Sequence, residues 1–329
     1  MKNILITLIS LILSISIYAQ GSIGSDTLYQ TKFYTFHNNM WMNLHHFFYE
    51  QASNQQFEKL KVDGLTFNNI GDSGKISKLT DLEKTLFDEG VKYYSNNIVH
   101  QELLNSGRIF KWLQAQSTTD NIDDTTFSKE FTITLNRLKP LYESYFWKRH
   151  QKENQVLLNT YIKLIEKTEI DVINKMENLS GSSWNDIVRI DLTTYGNWAG
   201  AYSPELDNIV ISSIDPLMNS TLFIEFVFHE SSHLLFLRKS VFRMGLYKKS
   251  KELEIKMPRH LWHAAMFYLS GLATKEVLAK ENINHELIMS KKNVFERYYN
   301  NEVFKSILMK YYNQENDIEQ MAIELLNLE

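Results

Sequence analysis

His229-Glu230-Ser231-Ser232-His233 is the stretch of this chain whose residue types and spacing are best suited to chemistry. On an α-helix, positions i and i+4 share a face, so His229 and His233 can both reach one metal ion while Glu230 holds a water beside it. A divalent ion in such a site lowers the pKa of its water toward about 7 and polarises a carbonyl. A neighbouring carboxylate can then take the water's proton and pass it to a leaving amine. The chemistry this spacing suggests is metal-assisted hydrolysis.

The motif needs a helix to carry it, and the sequence predicts one from about Thr221 to Lys239, entered through the turn at Pro216 and Ser220. Phe223, Phe226, Val227, Phe228, Leu234, Leu235 and Phe236 make that helix apolar nearly all round, which predicts burial. An unpaired carboxylate inside such a helix costs several kcal/mol, and a metal ion meets its requirement for a partner. Upstream, Ile187–Leu192 and Asn208–Ser213 read as two strands bracketing the loop Tyr195–Tyr202. Ile209–Ser213 is expected to be edge-like, a strand along which a peptide can lie by β-addition.

Around Ile209–Lys239 the chain resembles the zincin metallopeptidases, and more specifically their glutamate-ligand (gluzincin) branches. The resemblance implies Zn²⁺ as cofactor, His229 and His233 as ligands, Glu230 as general base and a peptide or protein as substrate. The metzincin extension is missing, because Phe236 and Lys239 stand where its glycine and third histidine would be. The aminopeptidase-like spacing to a glutamate ligand lands on Glu252, preceded by Lys251 instead of that branch's asparagine; the thermolysin-like spacing lands on Leu253. Zincins also use a donor for the oxyanion, for which Tyr268 and Tyr202 are the candidates here.

Catalytic zinc commonly has three protein ligands, so one is sought downstream. Lys249–Lys256 reads as a solvated charged loop, which weakens Glu252. A helix opening at Pro258 and reaching about Lys280 puts His263 on one face with Phe267 and Thr274, near Gly271, where a neighbouring helix can approach closely. His263 therefore ranks ahead of Glu252, and His260 follows. The segments at Asn43–Tyr49, Tyr195–Tyr202, Phe228–His233 and Leu261–Gly271 together resemble a group of exported bacterial HExxH proteins, which adds weight to His263. Glu225, one turn before His229, is either an orienting partner for that imidazole or a solvated charge at the helix start. His45 and His46 line a cleft or pack in their helix, and Trp198 walls a substrate or packs a turn.

Met1–Gln20 has the charged start, apolar run and small-residue exit at Ala19 of a cleavable signal peptide. The expected location is therefore periplasmic or secreted, with residues 1–19 removed. Loss of the single charge on Lys2 takes the net charge from −4 to −5, and neither value favours nucleic acid as a partner. There is no cysteine, which excludes disulfides and zinc thiolates and leaves His, Asp and Glu as the strong metal ligands. No later segment reads as a membrane span; even Leu261–Leu278 is interrupted by His263, Lys275 and Glu276.

Four prolines and twelve glycines in 329 residues argue for long helices with short connections. Predicted helices cover Phe33–Asn54, a stretch opened by the capping box Thr80-Asp81-Leu82-Glu83, Leu103–Gln116, Thr126–Lys139, Leu141–Leu179 and the amphipathic Asn284–Leu328. The expected architecture is α+β and predominantly helical. A helical part at 20–180 packs on a small sheet and the metal-binding part at 181–329, forming one continuous unit.

Overall fold

The computed structural model describes residues 26–60, 70–197 and 199–328. The segment expected to be a signal peptide and Trp198 lie outside the described residues. The fold is α+β and predominantly helical, built on one five-stranded sheet.

The described residues begin with the hairpin β1 (Thr27–Gln30) and β2 (Tyr34–His37), followed by α1 (Met40–Leu60), α2 (Ile70–Ile76) and α3 (Asp81–Asn97). Tyr34–His37 is thus a strand and not the first turn of the helix expected over Phe33–Asn54. Its Tyr-Thr-Phe alternation is used in parallel pairing with β3 (Val188–Thr193), and the Asn39 side chain accepts from the Met42 amide to start α1 one turn later. The Thr80 capping box is present in full: Thr80 Oγ1 accepts from the Glu83 amide and Glu83 accepts from the Thr80 amide.

Next come α4 (Gly107–Ala115), α5 (Lys129–Tyr142) and the 33-residue α6 (Lys148–Ser180), with a π-helical turn at Glu143–Trp147 between the last two. Pro140 lies inside α5 and has no amide to donate to the Asn136 carbonyl, one turn before the π-helical turn. Gly181 then ends α6 at φ 64°, a left-handed conformation that glycine adopts without a Cβ penalty.

The sheet runs β1-β2-β3-β5-β4, with β2, β3 and β5 (Asn208–Ser212) parallel and the outer strands β1 and β4 (Ala201–Glu205) antiparallel to their neighbours. Strands from before and after residue 180 therefore share one sheet. All of β5 is buried, and its residues alternate between two cores: Ile209 and Ile211 join the cluster of α6 and the site helices, while Val210 joins that of α1, α3, α4 and α5. A strand covered on both faces reads as a continuous β-branched run, which is what Ile209–Ile211 is.

β5 is an interior strand, contrary to the edge position expected for Ile209–Ser213. The edge is β4, hidden in sequence by Pro204, a residue that strands tolerate only where no ladder bond is required.

After β5 the chain forms α7 (Leu222–Ser232), α8 (Val241–Glu252), α9 (Leu261–Lys280), α10 (Ile288–Lys291), α11 (Glu296–Tyr299), α12 (Glu302–Tyr312) and α13 (Ile318–Leu326). The motif helix stops at Ser232 instead of reaching Lys239. Ser231 and Ser232 turn their hydroxyls back onto the Val227 and Phe228 carbonyls, and tighter bonds follow from the Leu234 and Leu235 amides to the Ser231 and Ser232 carbonyls. Lys249–Glu252 is the last turn of α8 and not a loop, because Ser240 caps a helix whose buried side is Phe242 and Leu246. α9 starts at Leu261, since His260 is left-handed at φ 70° and Pro258 lies before the helix. Among the described residues no helix is long and apolar enough to cross a membrane.

Candidate metal centre

α7 and α9 pack against each other, and their contact brings together the motif and the third histidine. His229, His233 and His263 each offer a ligand nitrogen, and these atoms lie within 4.8 Å of one another. Ring centroids are 5.4 Å apart for His229–His233, 5.7 Å for His229–His263 and 4.9 Å for His233–His263. His233 occupies the C-cap of α7, still in right-handed helical conformation, so the i,i+4 relation survives the end of the helix. His263 stands in the first turn of α9. Three imidazoles converging in this way could hold a metal ion.

The donor set is in the state a metal requires. Burial keeps His229 well below the usual imidazole range, and its two histidine neighbours add to the effect. Burial first, then His263 and Arg243, takes His233 down to about 3; burial, His260 and Arg243 take His263 to about 4. All three rings are thus neutral near pH 7, the form that ligates. Ser270 Oγ donates to the Phe267 carbonyl, so it accepts from His229 Nδ1 at 3.3 Å and leaves Nε2 as the free lone pair. His263 Nε2 is buried without a hydrogen-bond partner, the open position expected of a metal ligand.

The His263 ring is held from behind. The Arg243 guanidinium lies 3.9 Å over the Trp262 ring, and Trp262 stacks on His263 at 5.2 Å with 23° between planes. Phe295 closes the other side at 5.1 Å.

Glu230 is 8 % exposed, and burial pushes its carboxyl up to about 7, opposed by one hydrogen bond. That bond comes from Ser203 Oγ on the edge strand β4, at 2.7 Å from Oε2. A carboxyl titrating near neutrality is suited to accept and return a proton.

The histidines and Glu230 face a cleft of about 500 Å³, whose opposite wall includes Tyr49, Ser53 and Leu103 from the N-terminal helical part. Ala201, Tyr202 and Ser203 of β4 line it as well, so an unpaired strand edge runs beside the site.

The remaining sequence candidates fall elsewhere or are already engaged. Glu252 is exposed at the end of α8, where it pairs with Lys249 at 2.8 Å, and it is not part of the histidine group. Replacing Glu252 by alanine should leave metal affinity unchanged within about twofold in a chelator competition titration, as expected for a solvated ion pair; a large loss would put Glu252 at the metal. His260 is exposed and packs near Phe295. Tyr268 points away from the cleft toward Phe304 on α12. Tyr202 lines the cleft, but its hydroxyl donates to His46 Nε2 at 2.8 Å, because His46 Nδ1 must donate to the Met42 carbonyl.

His46 therefore sits behind the cleft wall, and His45 is buried against Tyr94. Glu225 is neither solvated nor bonded to His229. It is fully buried and accepts from His285 Nε2 and the Ile288 amide, which ties α7 to the segment leading into α10. Ser203 and Arg243 carried no recognisable signal, since each reaches the site only through packing of β4 or α8. The chain matches no family model, and comparison with curated proteins and with solved structures likewise found no match.

Proposed function

We propose that this chain is an exported zinc-dependent hydrolase, acting as a peptidase, with His229, His233 and His263 holding the ion and Glu230 as general base. The observation that carries the reading is the meeting, in one cleft, of three neutral imidazoles and a buried carboxyl titrating near 7. A zinc ion bound there would supply Lewis acidity and an acidified water.

The chain's own groups supply the rest. Glu230 accepts a proton from the attacking water and returns it to the leaving amine, and the Ser203 hydroxyl fixes the carboxylate between those two events. The free edge of β4 can receive an extended peptide by main-chain hydrogen bonds, which directs the substrate past Glu230. Arg243 and Trp262 keep the His263 ring from rotating away.

The expected result is chelator-sensitive cleavage of an unstructured peptide library, restored by added Zn²⁺. Cleavage that persists after the metal has been stripped would refute the reading.

One observation favours a second reading, a zincin-like protein that holds metal without turnover. Neither tyrosine considered as an oxyanion donor is available: Tyr268 is turned away and the Tyr202 proton is committed to His46. Tight metal binding with no cleavage of any library member would establish this alternative.

A further inference from the structure

Apolar and basic side chains are concentrated on one solvent-facing segment that the metal site does not use. Leu237, Val241, Met244, Tyr247 and Leu253 are all exposed, Val241 to 51 % and Met244 to 57 %. On α8 the outward stripe is Val241, Met244, Lys248 and Lys251 at three- and four-residue spacing, while Phe242 and Leu246 face the core.

Between Leu237 and Arg259 the chain carries eight lysines and arginines against two glutamates, although its formal net charge is −4. Glu252 and Glu319 of the adjoining α13 pair with Lys248 and Lys249. Arg238, Lys239, Lys251, Lys256 and Arg259 are exposed, and no ion pair is formed by them among the described residues.

From this charge segregation we infer that α8 and its flanks dock on the surface of a bilayer containing anionic phospholipid. Phosphodiester headgroups complement the five free cations, and the exposed valine, methionine, leucine and tyrosine enter the boundary between headgroups and acyl chains. A nucleic acid satisfies the cations but gives the apolar stripe nothing to bury against. A folded acidic protein requires a shaped counterpart, whereas a fluid bilayer adapts to a convex helix. No helix among the described residues is long and apolar enough to cross a membrane, and the contact inferred for α8 is a surface one. α8 also carries Arg243, which stacks on Trp262 beside His263, so docking through α8 holds the metal centre close to the bilayer surface. The inference does not depend on the chain being a hydrolase.

The test is co-sedimentation of the purified chain with phosphatidylcholine vesicles, with or without roughly 30 mol % phosphatidylglycerol. Binding is expected to the anionic vesicles only, weakening about tenfold or more as salt rises from roughly 0.1 to 0.5 M. The double variants Val241→Glu/Met244→Glu and Arg238→Glu/Lys239→Glu should each lower the partition about tenfold or more with an unchanged circular dichroism spectrum. Lys92→Glu/Lys129→Glu, which makes the same net-charge change as Arg238→Glu/Lys239→Glu elsewhere on the surface, should leave it unchanged.

Equal binding to neutral vesicles, no binding at all, or equal loss in the Lys92/Lys129 control would overturn the proposal. So would a dimer that dissociates in the Val241/Met244 variant while vesicles go unbound, which would assign the stripe to a second copy of the chain.

Discussion

Replacing His263 by alanine should lower the affinity of the purified protein for Zn²⁺ by about a hundredfold or more, while His260→Ala leaves it within about twofold. The ratio follows from geometry. His263 offers a nitrogen within 4.8 Å of those of His229 and His233, and its Nε2 is buried with no other partner. His260, three residues earlier, is left-handed, exposed and directed toward Phe295. Removing one of three imidazoles leaves a two-ligand site that water must complete, and zinc held by fewer protein donors dissociates more readily.

The readout is competition with a chromophoric chelator, supported by melting curves. An ion present at about a hundred times its dissociation constant stabilises the native state by about 2.7 kcal/mol, so the wild type should melt higher with Zn²⁺ and the variant should respond far less. The size of the response is the diagnostic quantity. The metal-free variant also loses packing against Trp262 and Phe295, so its own melting temperature can fall for reasons unrelated to zinc. Equal responses in the wild type and His263→Ala would remove His263 from the proposed ligand set.

What could be read from the sequence divides along local and non-local lines. The i,i+4 relation of His229 and His233 is a property of one helical turn, and it holds even though α7 ends at Ser232 and leaves His233 as its C-cap. The predominantly helical α+β class follows from long periodic segments interrupted by few glycines and prolines. The capping box at Thr80 is an equally local signal. His263 could be singled out because its face, shared with Phe267 and Thr274, indicated a helix side turned inward.

The rest depends on pairings that the chain's linear order does not express. β4 contains Pro204 and follows a loop rich in glycine, so nothing local identifies it as the strand that covers β5 and carries Ser203 to Glu230. Arg243 belongs to a stretch that reads as solvated surface, yet its guanidinium turns inward onto Trp262 because α8 packs across the end of the site. Glu225 resembles a helix-start charge until His285 and the Ile288 amide, some sixty residues away, supply its partners. In each case the deciding contact is tertiary, and the local pattern is compatible with several outcomes.

The second large effect is expected at Glu230. Glu230→Gln should lower the rate of peptide hydrolysis by about 10²–10⁴-fold while zinc remains bound, because glutamine keeps the shape and the acceptor for Ser203 Oγ but cannot carry a proton. The same substitution has a consequence that needs no substrate. In the metal-free protein the Glu230 carboxyl is held at about 7 by burial, against an ordinary value of 4.5. The folded state therefore binds this proton more tightly than the unfolded chain. That contribution is fully present below pH about 4.5 and is lost as pH rises through about 7.

Glutamine has no such dependence. Metal-free Glu230→Gln should then match the wild type near pH 4 and exceed it at pH 8, by on the order of 1–3 kcal/mol, in denaturant unfolding at the two pH values. The two measurements separate the claims about this residue. An unchanged hydrolysis rate would remove Glu230 from the role of base, whereas equal stabilities at pH 8 would show that its carboxyl is solvated in the free protein and not held in the dry position beside Ser203.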